Sequence, residues 1–310
     1  MSYCFKPHHP LARDARAIIA RQLARAEREL VTVGDARSDR AVHDARRHLK
    51  KILALLRLLK PVLGRDFERA SRPVRRASAM LAPVADAEAL VGATGVLGVR
   101  QRQPAIAQAR QTIEEALRAH EADTGRRANF QRLLPRVLRL LAVERPRLDA
   151  WSLEVDGFDA IAPGLERSVR RTQQAMVRAA RHPRAGAFHA WRRRVKDLWF
   201  QVRLVERRCG FGLDASRRAL EALDGLLGRY HNMVLLERVL VRHPCLSRHD
   251  TADCLRTIHR RRRALGRRAL SLGVAVLHDS PETFVARVRH LWRTAPAAAS
   301  RASSVSCPSA

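Results

Sequence analysis

Two stretches of the chain repeat one another at a fixed distance, and that repetition limits what the whole can fold into. VHDARRHLKKILALLRLL, beginning at Val42, overlays FHAWRRRVKDLWFQVRLV, beginning at Phe188, 146 residues later. The overlay sets His43 on His189, Arg46 on Arg192, Arg47 on Arg193, Lys50 on Lys196 and Arg57 on Arg203. A second block obeys the same offset: MLAPVADAEALV from Met80 lies on LLGRYHNMVLLE from Leu226, with Leu81 on Leu227 and Asp86 on Asn232. Separate blocks sharing one offset mark an internal repeat, here a helical unit of about 140 residues used twice with approximate twofold symmetry.

Helical periodicity runs through both halves, whereas alternating β-branched and aromatic residues hardly occur beyond a weak hint at Trp151–Val155. The spacing predicts helices over 11–33, 39–60, 66–91, 101–124, 128–143, 157–181, 186–208, 214–241, 250–277 and 281–293. Ser38 or Asp39 would cap the second helix, Pro61 and Gly64 would close it, and Asp214 would cap the eighth. The expected class is therefore all-α: two pseudo-symmetric helical bundles, residues 10–147 and 156–293, meeting at a basic central cleft or channel. VERPRLDAWSLEVD, residues 143–156, interrupts the pattern between them. Residues 294–310, small and polar without periodicity, read as a disordered tail.

On the repeated helix at 100° per residue, with His43 as zero, Arg46, Arg47, Lys50 and Arg57 fall within about 60° of it. Ile52, Leu55, Leu56 and Leu59 take the opposite side, and Val195, Leu198 and Val202 do so in the second copy. Trp191 and Trp199 flank the second basic strip. A solvated helix face ordinarily mixes acids and bases at i and i+4. Each of these strips holds a single acid, Asp44 or Asp197, so like charges repel within the free helix. An arrangement of that kind, repeated in both copies, points to an anionic ligand, and two such strips facing one another would concentrate anions. Composition agrees: 60 Lys and Arg oppose 30 Asp and Glu, a net charge of +30. All but Lys6, Lys50, Lys51, Lys60 and Lys196 are Arg, whose planar fork grips phosphate, although codon bias in an Ala-rich chain would also enrich Arg.

At these residues the sequence resembles the CHAD family, the conserved histidine α-helical domain. V-H-x-x-R-x-x-x-K at Val42, His43, Arg46 and Lys50, its second copy at His189, Arg192 and Lys196, and LGRYHN at Leu227–Asn232 carry the likeness. It extends over about residues 10–293. The resemblance implies a basic channel that binds inorganic polyphosphate without catalysis, and association with polyphosphate granules or polyphosphate-metabolising enzymes. The ligand residues it implies are His43, Arg46, Arg47, Lys50, Lys51, Arg57, His189, Arg192, Arg193, Lys196 and Arg203. The chain departs from the family pattern at Leu53 and Trp199, where an Arg is frequent, at His48, which stands opposite Arg194, and at Ala82 and Asn232 in the Leu-Gly element. No triphosphate-hydrolase domain is seen ahead of the repeat.

Other chemistries find less support. Cys4, Cys209, Cys245, Cys254 and Cys307 form no CxxC and suit a reducing cytoplasm. No apolar leader or run of about 18 apolar residues appears, so neither secretion nor a membrane span is expected. His243, Cys245, His249, Asp250 and Cys254 match no standard zinc spacing, and no metal or other cofactor is expected. Glu114 and Glu115, being adjacent, diverge on a helix, and no P-loop, GxSxG or dinucleotide fingerprint occurs. IHRRRRALGRR at 258–268 reads as a polyphosphate or nucleic-acid rim or as a solvated face. The remaining alternative is a non-specific nucleic-acid binder, against which stand 5% aromatic residues and the lack of any recognition motif. Cations around His43 and His189 would keep both neutral until phosphate arrives, so binding is expected to tighten as pH falls from about 8 to about 6.

Overall fold

The computed structural model describes residues 3–7, 9–31, 38–82, 124–143, 155–242 and 248–303, with positions 115, 146 and 153. The described residues form helices joined by turns and irregular connections, with no strand among them. The helices are α1 (Leu11–Val31), α2 (Ser38–Leu63), α3 (Asp66–Met80), α4 (Thr124–Ala142), α5 (Gly157–Arg181), α6 (Ala185–Val205), α7 (Asp214–Arg242), α8 (Arg248–Val276) and α9 (Pro281–Ser303). Two 3₁₀ turns, Glu206–Arg208 and Gly210–Leu213, lead from α6 into α7. The expected helix at 101–124, the second half of that at 66–91, and most of the repeat block from Met80 lie outside the described residues.

The helix starts keep the register of the sequence repeat: α1 begins at Leu11 and α5 at Gly157, α2 at Ser38 and α6 at Ala185, α3 at Asp66 and α7 at Asp214. α2 and α6 lie at the centre. Leu49, Ile52, Ala54, Leu55, Leu56, Leu58 and Leu59 are buried almost around the whole of α2, which is the mark of a core helix. α2 packs on α1, α3, α5 and α6, while α6 packs on α5 and α7. Across the α2–α6 crossing the fully buried Gln201 donates from Nε2 to the Ala54 carbonyl at 3.1 Å. Other bonds also tie the halves together, among them Asp156, just ahead of α5, which accepts from the Leu11 N–H of α1 at 2.7 Å, and the Leu204 carbonyl, which accepts from the Phe5 N–H at 2.8 Å.

Several sequence expectations move. α9 continues to Ser303, ten residues past the expected end at Arg293, and its run of Ala, the strongest helix former, favours the extension. Trp191 does not flank the basic strip: it is completely buried against Phe188 and Gly273. Pro61 lies within α2, which ends at Leu63 before Gly64 at φ +47°. Asp214 opens α7 but receives Arg217 and Arg218 on its carboxylate. The hint of strand near Trp151 leaves Leu153 irregular and Val155 in a bend.

Gly164 of α5 sets how near α5 comes to α2: a Cβ there would sit 1.8 Å from the Leu58 carbonyl oxygen. Backbone, unlike a flexible side-chain end, cannot swing aside. Gly164→Ala should therefore lower unfolding free energy by about 3 kcal/mol or more, measured by urea denaturation. Gly186→Ala, which meets nothing within 4 Å, should leave it unchanged or raise it.

Candidate polyanion-binding site

The repeated helices bring their cations to one place. Lys50 of α2 feels the charges of Arg46 on its own helix, of Lys196 and Arg192 on α6 and, in the opposite sense, of Asp224. Burial first, and then these three cations, push its ammonium pKa down to about 8. The overlaid positions Lys50 and Lys196 thus meet across the crossing. A group depressed in this way is one the fold holds charged only with difficulty, and an anion would relieve it.

α7 supplies the third wall. Asp224 accepts from Lys196 Nζ at 2.8 Å through Oδ2, while its Oδ1 is buried with no hydrogen-bond partner. One turn on, Gly228 lies beneath Arg192, whose Nη2 would stand 3.7 Å from a Cβ at that position. In the first half Arg46 Nη1 makes a long, 3.5 Å hydrogen bond to the carbonyl of Ala82, the residue that overlays Gly228. The Leu-Gly element therefore serves the same end in both halves: it lets a helix backbone approach the basic strip. His231, from the same element, stacks at 4.8 Å and 40° on His189.

A second group lies along the other flank of α2. Lys51, 9% exposed, has its pKa pushed to about 8 by burial and then by Arg203, Arg47 and Arg25. Its backbone carbonyl accepts from the Tyr3 hydroxyl at 2.7 Å, and its ammonium stands 5.6 Å from the Tyr3 ring centre. Trp199, partly buried, lies beneath Arg203 at 5.1 Å and beside Lys196 at 5.9 Å. His43 also titrates below its ordinary range, through loss of water and then Lys50.

Of the sequence-derived set, Arg46, Lys50, Arg192 and Lys196 converge, and Lys51, Arg47 and Arg203 form the flanking group. His43 and His189 take the outer turns of the two helices, and Arg193 points to solvent. Arg57 is engaged elsewhere, on Asp197 at 2.7 Å, a pair buried deeply enough that Asp197 titrates above its usual range. Arg47 also meets Asp44 at 3.1 Å. The strips are therefore less bare than the sequence suggests. Asp224, which one-helix periodicity could not place, is the acid that reading missed; its only sequence signal is its position one turn before Gly228. His48 is a packed histidine, 2.7 Å from Gln22 Oε1, with its pKa lowered to about 4 by burial and then Lys51. No cluster of three potential metal ligands occurs among the described residues; His243 and Cys245 lie outside them, and Cys254 is buried.

Two outcomes follow. Asp224→Asn removes the carboxylate that competes for Lys196, so tripolyphosphate should bind about fivefold tighter by calorimetry, the effect of ~1 kcal/mol of charge competition. Because Lys50, Lys51 and His43 are depressed, an anion raises their pKa values and binding takes up protons. Affinity should then fall as pH rises through about 8, where Lys50 and Lys51 lose their charge, and rise further as His43 gains its proton below about 6.5. Calorimetry in buffers of different ionisation enthalpy measures that uptake, and equal heats in all buffers would refute it.

A family model for the CHAD domain matches residues 16–241 of the chain. The structure is similar to the crystal structure of the CHAD domain from the plant Ricinus communis, with a TM-score of 0.67 and 16% sequence identity over 90% of this chain and 95% of that one. No curated protein matches the chain.

Proposed function

Since the chain belongs to the CHAD domain family, we propose that it binds inorganic polyphosphate, without cleaving it, at the crossing of α2 and α6. The observation that carries this reading is the convergence of Arg46 and Lys50 with Arg192 and Lys196, four cations from two overlaid helices in one poorly solvated space. Arg192 and Arg46 offer forks to phosphate oxygens and the lysines offer point charges. His43, Arg47, Lys51 and Arg203, with His189 and Arg193 on the outer turns, extend the cationic surface along the chain of phosphates. Arg57 contributes through Asp197 rather than directly. The halves are, in this reading, copies of one unit, and the helix starts at matching intervals support it.

Phosphoanhydride hydrolysis uses carboxylates to hold Mg²⁺ at the phosphates. Among the described residues the one carboxylate in the convergent cluster is Asp224, engaged by Lys196. That supports a module that grips and releases its ligand; a cytoplasmic setting, in the company of polyphosphate granules or of enzymes that make or consume the polymer, is part of the same proposal. No helix among the described residues is long and apolar enough to cross a membrane.

Long-chain polyphosphate and a random DNA duplex, titrated between about 50 and 300 mM salt, test the reading. Polyphosphate should remain bound where DNA has dissociated, and the triple variant His189→Ala, Arg192→Ala, Lys196→Ala should lower polyphosphate affinity at least tenfold. Equal loss of both ligands with salt, indifferent to that variant, would make the protein a general cationic binder and favour nucleic acid.

A further inference from the structure

α8 carries a second cationic feature, outside the α2–α6 crossing. After Asp253 no acid occurs before Val276, while Arg256, Arg260, Arg261, Arg262, Arg263, Arg267 and Arg268 fall in that stretch. The inner side of the helix is settled by burial: Cys254, Ile258 and Ala269 are in the core, Gly266 meets Phe188 and Tyr230, and Gly273 meets Trp191. Glu237 of α7 takes His259 at 2.9 Å and also Arg262, which fixes α8 on α7. Arg256 meets Asp253. Arg260, Arg263 and Arg267 remain exposed, and among the described residues none of the three has a carboxylate partner.

At 100° per residue, Arg256, Arg260, Arg263 and Arg267 lie within about 60° of one another. They form a single file about 16 Å long at 1.5 Å per residue, with about 5–6 Å between neighbours. Cations so spaced repel along the helix, and among the described residues only Arg256, through Asp253, has a carboxylate partner in the row. The row is also narrow. A 60° arc on a helix about 10–12 Å across is about 5–6 Å wide, about half the width of the DNA major groove, about 12 Å. No aromatic residue stands in 256–268 to stack a base, and no apolar stripe borders the row to enter a membrane.

We infer that the outer face of α8, through Arg260, Arg263 and Arg267, is a second polyanion site that takes a single linear chain of phosphates. The inference rests on the proposed polyphosphate reading: a long polymer held at the α2–α6 crossing extends onto this rail on α8, which packs on both α7 and α6. The two sites then act on one ligand as a bivalent pair, and the rail contributes only when the polymer is long enough to span both.

The full chain is tested with tripolyphosphate and with long-chain polyphosphate. Arg260→Gln, Arg263→Gln, Arg267→Gln together should leave tripolyphosphate affinity within about twofold, because such a short ligand is held by the α2–α6 cluster. The same variant should lose about tenfold or more on the long polymer and lower its salt slope by about 2, near 0.7 per lost contact. Arg132→Gln, Arg136→Gln, Arg139→Gln on the exposed side of α4 removes equal charge and should change neither ligand by more than about twofold. Equal losses in the two triple variants would overturn the rail in favour of general charge, as would unchanged long-polymer affinity in the α8 variant. A parent protein that binds neither phosphate ligand would instead sink the polyphosphate reading and the rail with it. If the α8 variant lost affinity for duplex DNA while keeping long polyphosphate, the rail would be a nucleic-acid surface and the inference wrong.

Discussion

Cations of two crossing helices share one poorly solvated space, and much of the surrounding structure can be understood as what permits it. Placing several like charges together away from water is unfavourable unless hydrogen bonds or counter-charges are at hand. α7 answers this in two ways, by setting Asp224 against Lys196 and by presenting Gly228, without a side chain, beneath Arg192. α5 answers it indirectly. By coming into backbone contact through Gly164 it holds α2 from behind, so that strip residues on a helix buried nearly all round cannot turn toward water by moving the helix.

The two ends of the crossing are not alike. Lys51 overlays Asp197 and Arg57 overlays Arg203, so the same pair of positions occurs twice across the crossing. At one end it is Arg57 with Asp197, an ion pair at 2.7 Å; at the other it is Lys51 beside Arg203, two cations. A repeat with identical chemistry would have paired both ends or neither. Here one end fastens the crossing, and the other holds a depressed lysine whose charge an incoming anion would stabilise.

How much of this the sequence displayed depended on whether one helix sufficed to show it. The common offset displayed the paired helix starts, and the 100° wheel displayed the side of α2 that faces α6, because apolar spacing within a helix records which side is buried. Trp191 went astray since an aromatic at the edge of a polar strip is silent on a neighbouring helix; only Gly273 on α8, small enough to admit the indole, decides that it is core. Asp224 and the diversion of Arg57 to Asp197 were illegible for the same reason. Both are contacts between helices, and no periodicity within one helix encodes its partner. α9 ran past its expected end because Ala has helix propensity without amphipathic pattern, the signal the boundary was read from.

The placement of acids gives the cluster a direction. Among the described residues Asp197 and Asp224 each meet a strip cation from another helix, and both lie in the second half, while the residues overlaying them in the first are Lys51 and Ser78. The Leu-Gly element departs from the family pattern at Ala82 in the first half, and the charges of the two halves are unequal as well. Among the described residues Lys50 and Lys51 make no ion pair with a carboxylate, whereas Lys196 is engaged by Asp224. An anion entering there would gain more from Lys50 and Lys51 than from Lys196, which it must first detach from Asp224. The two crossing helices thus carry unequal charge, and a linear polyanion bound along them would meet the two halves on unequal terms.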